Sequence, residues 1–361
     1  MKTENAEKKG FLALADGLVF PGVPFGAAED RLGEVVFNTS MAGYQEMLTD
    51  PSYAGQILVL TAPEIGSVGI NAGDDQAARM ACAGLLVRES NAPSNWRSCK
   101  TLDEALAENG VPALAGVATR ALTRHLRDCG TQKGYLCVSG EVGETEAVER
   151  ARAWEGLDGK DYAKEVSTQE AYDFSDAGAK RVAVLDFGVK RGILQQLAEA
   201  GARVRVFPAS TGAAEVLAWE PDGVFLSNGP ADPAGLPYAA ETIRGLLGKK
   251  PVFGICLGHQ LLGLALGGKT ERLRFGHHGG NHPVEDVRTR RAWITSQNHN
   301  FVVREESLPD GVEVTHRSLF DRSVEGLESK ELNAFSVQFH PEAAPGPRDA
   351  RGLFASFLAR L

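Results

Sequence analysis

In the second half of the chain, short apolar runs alternate with longer segments in which apolar positions recur at helical spacing. The runs predict buried strands, and the longer segments predict helices. The predicted strands lie at 181–187, 203–207, 222–226, 251–255, 270–275 and 335–339, and the predicted helices at 189–200, 239–247 and 257–266. This alternation is typical of an α/β domain with a mostly parallel sheet and flanking helices, in which active groups lie at the carboxyl ends of the strands.

The first half of the chain has a different character and is richer in β-type patterns. A polar, charged stretch from residue 141 to residue 180 contains few β-branched runs, which predicts a helical connector. We therefore predict a β-rich α+β domain over residues 1–150, a connector over 151–180 and the α/β domain over 181–361. A chain of 361 residues is long enough to form two separate cores.

A cysteine lies at the turn between a predicted strand and a predicted helix. Cys256 has Gly254 on one side and Gly258 on the other, which is the pattern of a nucleophile elbow. Glycine removes side chains that would collide in so tight a turn. A thiol at a helix N-terminus is favoured as the thiolate, the form that attacks carbonyl carbon. By itself the pattern is equally compatible with a cysteine that only fills buried space.

A histidine stands at the end of another predicted strand. Alternating apolar residues form one face of the segment 335–339, and His340 follows on the other face. Pro341 ends the strand, and Glu342 is close enough to accept the second imidazole N–H and fix the tautomer of His340. A lone histidine is more often structural, but with the cysteine turn this arrangement indicates a catalytic triad.

These two motifs, G-x-C-x-G-H-Q and F-H-P-E, resemble the class I glutamine amidotransferases, which hydrolyse glutamine to glutamate and ammonia. The resemblance spans roughly residues 181–361 and includes the segment L-S-N-G-P-A-D-P from residue 226. It implies that Cys256, His340 and Glu342 form the triad. It also implies that the backbone N–H groups of Gly229 and Leu257 form the oxyanion hole.

Further motifs resemble the carbamoyl phosphate synthetase small subunit family. They begin at residue 37 (F-N-T-S-M-A-G-Y-Q-E-M-L-T-D-P-S-Y), 66 (G-S-V-G-I-N), 119 (T-R-A-L-T-R), 186 (D-F-G-V-K-R), 275 (F-G-H-H-G-G-N-H-P) and 297 (Q-N-H-N-F). The resemblance therefore covers nearly the whole chain. It implies that glutamine is bound by Ser40, Gly229, Ala231, Leu257, Gln260, Asn298, Asn300 and Phe301. The family commonly has glycine at the positions of Ala231 and Asn300, so we expect these two residues to affect affinity rather than chemistry.

The same resemblance implies a division of labour between two proteins. This chain would need no cofactor, and a large synthetase subunit would use its ammonia with ATP, Mg and bicarbonate to make carbamoyl phosphate for arginine and pyrimidine synthesis. Two alternatives remain at this point: a free-standing glutaminase or γ-glutamyl hydrolase, and a catalytically silent scaffold. The first leaves the dedicated first domain unexplained, and the second leaves the intact triad unexplained.

Composition limits the partners and the cellular compartment that we expect for the protein. A net charge of −9 gives no support for nucleic-acid binding. No apolar run approaches the roughly 18 residues that a membrane helix needs. The charged start of the chain and an odd count of five cysteines without a C-x-x-C pair indicate a reducing compartment, so we expect a cytoplasmic protein.

Two further patterns are weaker than they look. The segment 263–270 satisfies the phosphate-loop pattern, but it closes a predicted helix instead of opening one, so we interpret its glycines as a helix C-cap. His277, His278 and His282 suggest a metal, yet no cysteine or carboxylate set completes a coordination shell. We therefore predict a polar loop there and no metal site.

Overall fold

A computed structural model gives the fold and describes residues 9–230 and 232–361. The described chain divides into two compact units, one of residues 9–49 and 53–157 and the other of residues 50–52 and 158–361. The division between the units falls between residues 157 and 158, within the segment 151–180 that the sequence predicts as a connector. The helix Glu144–Ala153 packs on strands of the first unit, and the segment Tyr172–Ser175 is a strand in the sheet of the second.

The first unit is built around a closed barrel of seven strands in the order β1-β2-β8-β6-β4-β3-β9. Its strands are β1 Gly10–Leu14, β2 Val19–Gly26, β3 Arg31–Asn38, β4 Gln56–Leu60, β5 Glu64–Ile65, β6 Gly84–Leu86, β7 Glu89–Ser90, β8 Pro112–Ala115 and β9 Gln132–Cys137. Its helices are α1 Tyr44–Leu48, α2 Leu102–Glu108, α3 Thr119–Cys129 and α4 Glu144–Ala153. The β5 and β7 strands form a separate pair. The β-rich α+β prediction agrees with this architecture, and closure leaves the barrel without exposed sheet edges.

The second unit contains a ten-stranded sheet in the order β10-β12-β11-β13-β14-β19-β18-β17-β15-β16. Its strands are β10 Tyr172–Ser175, β11 Lys180–Asp186, β12 Ala202–Pro208, β13 Gly223–Leu226, β14 Val252–Ile255, β15 Thr270–Asp286, β16 Ala292–Val303, β17 Glu313–Ser318, β18 Val324–Ser329 and β19 Ala334–Val337. Its helices are α5 Ala163–Val166, α6 Arg191–Glu199, α7 Ala213–Ala218, α8 Pro237–Leu246, α9 Leu257–Ala265 and α10 Gly352–Leu358.

Parallel pairing is confined to five of these strands, β12, β11, β13, β14 and β19. The central strand β11 explains why the sequence pattern identified this part well. Val182 and Val184 face one apolar cluster, and Ala183 and Leu185 face another on the opposite side of the sheet. A strand covered on both faces is apolar throughout, which is the pattern of a parallel α/β core.

The antiparallel half of the sheet was not predicted at its full extent. The predicted strand at 270–275 continues to Asp286, so His277, His278 and His282 lie in a strand and the polar-loop prediction is wrong. The polar residues of β15 do not show the alternation of apolar and polar positions that predicts a strand. The strand pairs with β16 in an irregular register, and His277 and His278 are buried there. The interpretation of the segment 263–270 is confirmed: α9 ends at Ala265, Gly267 has φ +101°, and β15 begins at Thr270.

No helix among residues 9–230 and 232–361 combines the length and the apolar character that crossing a membrane requires.

The packing of α9 on β13 depends on a glycine. A Cβ on Gly258 would lie 2.3 Å from the carbonyl oxygen of Leu226. Because that oxygen belongs to the backbone, no side-chain rotation can relieve the clash. We predict that Gly258→Ala lowers the free energy of unfolding of the chain by about 3 kcal/mol, measured by urea denaturation followed by circular dichroism. Gly352→Ala is the matched control, because a Cβ on Gly352 meets nothing within 4 Å. Equal stability of the two variants would contradict this account of the packing.

Candidate active site

The nucleophile elbow is present at the end of β14. Cys256 has φ 54° and ψ −108°, a strained conformation for a residue with a side chain, and it is the N-cap of α9. Its N–H donates to the carbonyl of Val337 at 3.0 Å, which ties the turn to the neighbouring strand. A Cβ on Gly254 would lie 2.6 Å from the oxygen of Gly258, so both flanking glycines are required by the close approach of the backbone. The thiol is 2 % exposed and thus shielded from solvent.

The predicted base and its orienting carboxylate also lie together. The strand β19 ends at Val337, earlier than predicted, and a bridge to β16 holds His340, whose N–H donates to the Ser296 carbonyl at 2.9 Å. The Nδ1 of His340 donates to Oε1 of Glu342 at 2.7 Å. Its Nε2 makes no hydrogen bond of normal length to the described residues, yet Cys256 is close enough for its charge to act on the imidazole.

The electrostatics of this group favour a proton on the imidazole. Burial lowers the pKa of His340, but the interactions of its imidazole with Glu342 and Cys256 outweigh burial and raise that pKa to about 10. Burial raises the pKa of Glu342, but the positive charges of Lys190 and His340 lower it to about 2. At neutral pH the resting site therefore holds an imidazolium beside an ionised Glu342 carboxylate.

Lys190 belongs to the motif that begins at residue 186, but the sequence alone assigns no role to its side chain. This residue is the N-cap of α6, its side chain is 3 % exposed, and its Nζ donates to Glu342 Oε1 at 2.9 Å and to the Ala343 carbonyl at 2.6 Å. A buried lysine is expensive unless it is paired, so the lysine and the carboxylate stabilise each other. The available signal was a lysine in the first turn of the predicted helix 189–200, close to the carboxyl end of the predicted strand 181–187.

The two segments that carry the predicted oxyanion donors pack against each other. A Cβ on Gly229 would be 2.0 Å from the Phe187 carbonyl oxygen and 3.0 Å from Cδ2 of Leu257, so the loop after β13 packs directly against the start of α9. The Leu257 N–H belongs to the first turn of that helix, where backbone donors have no partner within the helix. Two N–H groups at adjacent positions beside the nucleophile are what an oxyanion hole needs.

Five predicted glutamine-binding residues lie on two elements, Leu257 and Gln260 on α9 and Asn298, Asn300 and Phe301 on β16. The main-chain oxygen of Asn298 accepts the Cys256 thiol at 3.5 Å. Gln260 is buried, and its Nε2 donates to the main-chain oxygen of Phe301 at 2.8 Å. Gln260 therefore supports the backbone of β16, and its contact with glutamine stays a prediction.

Asn300 and its neighbours form a buried polar cluster. The Nδ1 and Nε2 of His278 lie 2.9 and 3.0 Å from the side-chain oxygens of Asn298 and Asn300. Burial lowers the pKa of His278 to about 4, so this imidazole is neutral at physiological pH. His299 lies on the same strand and could also be considered as the base, but both of its ring nitrogens contact other groups and burial lowers its pKa well below its usual value. His340 is the better candidate on both grounds.

Two further residues are predicted to bind glutamine, Ser40 and Ala231. Ser40 lies in the first unit, where its N–H donates to Asn38 Oδ1 at 2.7 Å and its buried hydroxyl has no hydrogen-bond partner among the described residues. A free buried hydroxyl is unusual and is compatible with a ligand contact. Ala231 lies outside the described residues.

The histidine-rich strand brings potential metal ligands together. Ligand atoms of His277, His299 and Glu325 lie within 4.8 Å of one another among the described residues. Although burial opposes it, hydrogen bonds and charges from Asp321 and Glu325 raise the pKa of His277 to about 9. In the structure His277 pairs with Asp321 at 2.8 Å and with Glu325 at 3.6 Å, and the absence of a metal site stays a prediction.

Two family models match the chain. The model "Glutamine amidotransferase class-I" matches residues 183–360, which lie in the second unit. The model "Carbamoyl-phosphate synthase small chain, CPSase domain" matches residues 12–136, which form most of the first unit. The two matches cover both halves of the chain with the families that the motifs indicated.

Curated relatives match over almost their entire length. The carbamoyl phosphate synthase small chain of Pasteurella multocida is 51 % identical over 362 residues, covering 96 % of this chain and 94 % of that protein. The carbamoyl phosphate synthase small chain of Bacillus caldolyticus is 52 % identical over 350 residues, covering 96 % and 95 % respectively. Because these relatives are so similar across both units, the chain belongs to the carbamoyl phosphate synthase small chain family.

Proposed function

We propose that this chain is the glutamine-hydrolysing subunit of a carbamoyl phosphate synthase and that Cys256, His340 and Glu342 perform the hydrolysis. The observation that carries the proposal is the buried line of Glu342, His340 and Cys256 at the strained turn before α9, in a chain of this family. Of the alternatives, a free-standing glutaminase leaves the match of residues 12–136 unexplained. A silent scaffold has no need of a strained, buried nucleophile.

The proposed reaction has two halves. The Cys256 thiolate attacks the carboxamide carbon of L-glutamine, and the N–H groups of Gly229 and Leu257 stabilise the oxyanion. The imidazolium of His340 gives its proton to the leaving ammonia. The resulting neutral imidazole then removes a proton from water, which hydrolyses the γ-glutamyl thioester to glutamate and regenerates the thiolate.

Glutamine is proposed to be bound by the residues that the family resemblance implies. Backbone groups at 229, 231 and 300 and the side chains of Ser40 and Gln260 would hold the substrate, with Asn298 and Phe301 completing the site. The unpartnered hydroxyl of Ser40 supports its part in this set. Ala231 and Asn300 would tune affinity, because the chemistry is performed elsewhere.

The ammonia is proposed to pass to a large synthetase subunit, which would use ATP, Mg and bicarbonate in carbamoyl phosphate formation for arginine and pyrimidine synthesis. The relatives' designation as small chains supports such a partner. The segment 263–270 lies at a helix C-terminus, so it is not a phosphate loop, and we assign no nucleotide to this chain. Five free cysteines support a reducing, cytoplasmic setting.

We predict that Cys256→Ser abolishes glutamine-dependent carbamoyl phosphate synthesis and leaves synthesis from added ammonia intact. The reason is that the thiol acts only in ammonia release, whereas the partner performs the remaining chemistry. Both activities can be measured in the complex reconstituted with the large subunit. The control is Cys99→Ser, because Cys99 is an exposed thiol in the other unit. Glutamine use that survives in Cys256→Ser would show that the nucleophile is misassigned.

A second prediction concerns the charge on His340. Glu342→Gln removes the carboxylate that raises the pKa of His340, so the imidazole holds its proton less firmly and stabilises a developing thiolate less. We expect alkylation of Cys256 by iodoacetamide at pH 7 to slow by about ten-fold, the effect of losing roughly 1.4 kcal/mol of that stabilisation. Glutamine hydrolysis should fall as well, but less than in His340→Asn, which removes the base itself.

The control and the pH dependence sharpen this test. Glu241→Gln changes an exposed carboxylate on α8 and should leave the alkylation rate unchanged. Because the folded pKa of His340 is raised, its contribution to stability is present below about pH 6.5 and is lost as the pH approaches 10. Stability of the parent should therefore decline over that window and decline less in His340→Asn. Unchanged alkylation in Glu342→Gln would contradict the proposed ion pair.

A further inference from the structure

A buried carboxylate from the first half of the sequence belongs to the second unit. Asp50 is 5 % exposed and lies in the short segment 50–52 that groups with residues 158–361. Its Oδ1 accepts the Ser52 N–H at 2.9 Å and the Asn228 Nδ2 at 3.4 Å, and its Oδ2 accepts the Asn298 Nδ2 at 3.1 Å. The two carboxylate oxygens thus divide their bonds between two different segments of the second unit.

The first of these segments is the oxyanion loop. Asn228 directly precedes Gly229, whose N–H is a proposed oxyanion donor, and its side chain is fully buried. Besides the bond to Asp50, its Nδ2 donates to Ser52 Oγ at 2.9 Å, and its Oδ1 accepts the Lys190 N–H at 3.1 Å. The orientation of this loop therefore depends on the partners of both Nδ2 and Oδ1 of Asn228.

The second segment is the glutamine-binding strand β16. Asn298 uses its Nδ2 for Asp50 and its Oδ1 for His278, so its side chain is held on both sides. Its main-chain oxygen accepts the Cys256 thiol. A change in the position of Asn298 would move the strand that carries the binding residues and contacts the nucleophile.

We propose that Asp50 is a positioning residue that holds the oxyanion loop and the glutamine-binding strand at the correct separation. The proposal rests on the glutaminase function above. A carboxylate is suited to this role because each oxygen can accept a separate amide N–H, whereas the amide of asparagine offers only one oxygen. Its described partners are the N–H donors of Ser52, Asn228 and Asn298, so the two carboxylate oxygens of Asp50 accept three bonds from uncharged groups.

The simpler interpretation is that Asp50 only stabilises its own turn through the Ser52 N–H. That role predicts a loss of stability with no selective effect on chemistry. A positioning role predicts that the oxyanion donors and the binding strand lose their alignment while the thiolate is still formed. Alkylation by iodoacetamide separates the two, because it needs the thiolate but creates no oxyanion.

The test is Asp50→Asn in the complex reconstituted with the large subunit. We expect kcat for glutamine hydrolysis to fall about ten-fold or more, since losing one oxyanion donor outright costs on the order of 100-fold or greater. KM for glutamine should rise, and ammonia-dependent synthesis should be unchanged. The rate of Cys256 alkylation in the same preparation should stay within about two-fold of the parent, because His340 and Glu342 are untouched.

Two further variants make the result decisive. The reciprocal exchange Asp50→Asn with Asn228→Asp restores one donor–acceptor pair with its direction reversed, and it should recover part of the lost kcat. If Asp50→Asn does not fold, Ser52→Ala removes only one hydrogen bond to Asn228 and should lower kcat without changing KM. Asp74→Asn, which alters a carboxylate of the first unit, is the control and should match the parent.

Glutamine hydrolysis within two-fold of the parent in Asp50→Asn would overturn the proposal. So would a fall in alkylation equal to the fall in hydrolysis, because that would indicate general collapse of the site. Failure of the underlying function has a different signature: the Cys256→Ser variant would keep glutamine-dependent synthesis, whatever the result at Asp50.

Discussion

The site depends on a buried row of alternating charges that runs from Lys190 through Glu342 to His340 and ends beside Cys256. None of the three charged groups would be stable as an isolated charge in an interior position. Together they satisfy one another: the lysine and the imidazolium hold the carboxylate ionised, and the carboxylate holds the proton on His340. The same arrangement that makes burial tolerable therefore places a charged imidazole beside the nucleophile before substrate arrives.

The backbone supplies the second requirement, which is the position of each group. The parallel strands β14 and β19 end side by side, so the cysteine turn and the segment that carries His340 meet at one edge of the sheet. The glycines on either side of Cys256 permit the close approach of α9 to β13, and this approach brings Leu257 against Gly229. The strained conformation of Cys256 is thereby held in place by the packing of β13, β14 and α9.

Much of this could be predicted from the sequence, and the limits have a physical cause. Cys256, His340 and Glu342 are recognisable because local patterns of glycine, alternation and proline constrain the chain around them. Lys190 reaches Glu342 across 152 positions and Asp50 reaches Asn298 across 248, and no local pattern encodes such contacts. Roles in binding, such as that of Ser40, came only from resemblance and stay predictions.

The antiparallel half of the sheet was partly hidden for a related reason. The strand β15 contains histidine, asparagine and glycine in place of alternating apolar residues, because several of its buried side chains are satisfied by polar partners on β16 and β18. Hydrophobic periodicity detects strands that face an apolar core, and it fails where a polar network takes the place of that core.

The central claim is that Cys256 forms a covalent bond to the substrate. The most direct measurement is mass spectrometry of the complex after acid quenching during turnover with glutamine, followed by digestion and identification of the modified peptide. The account predicts a γ-glutamyl group on Cys256 that is present during turnover and disappears when glutamine is exhausted. Continued turnover with no adduct on Cys256, or an adduct on another residue, would contradict it.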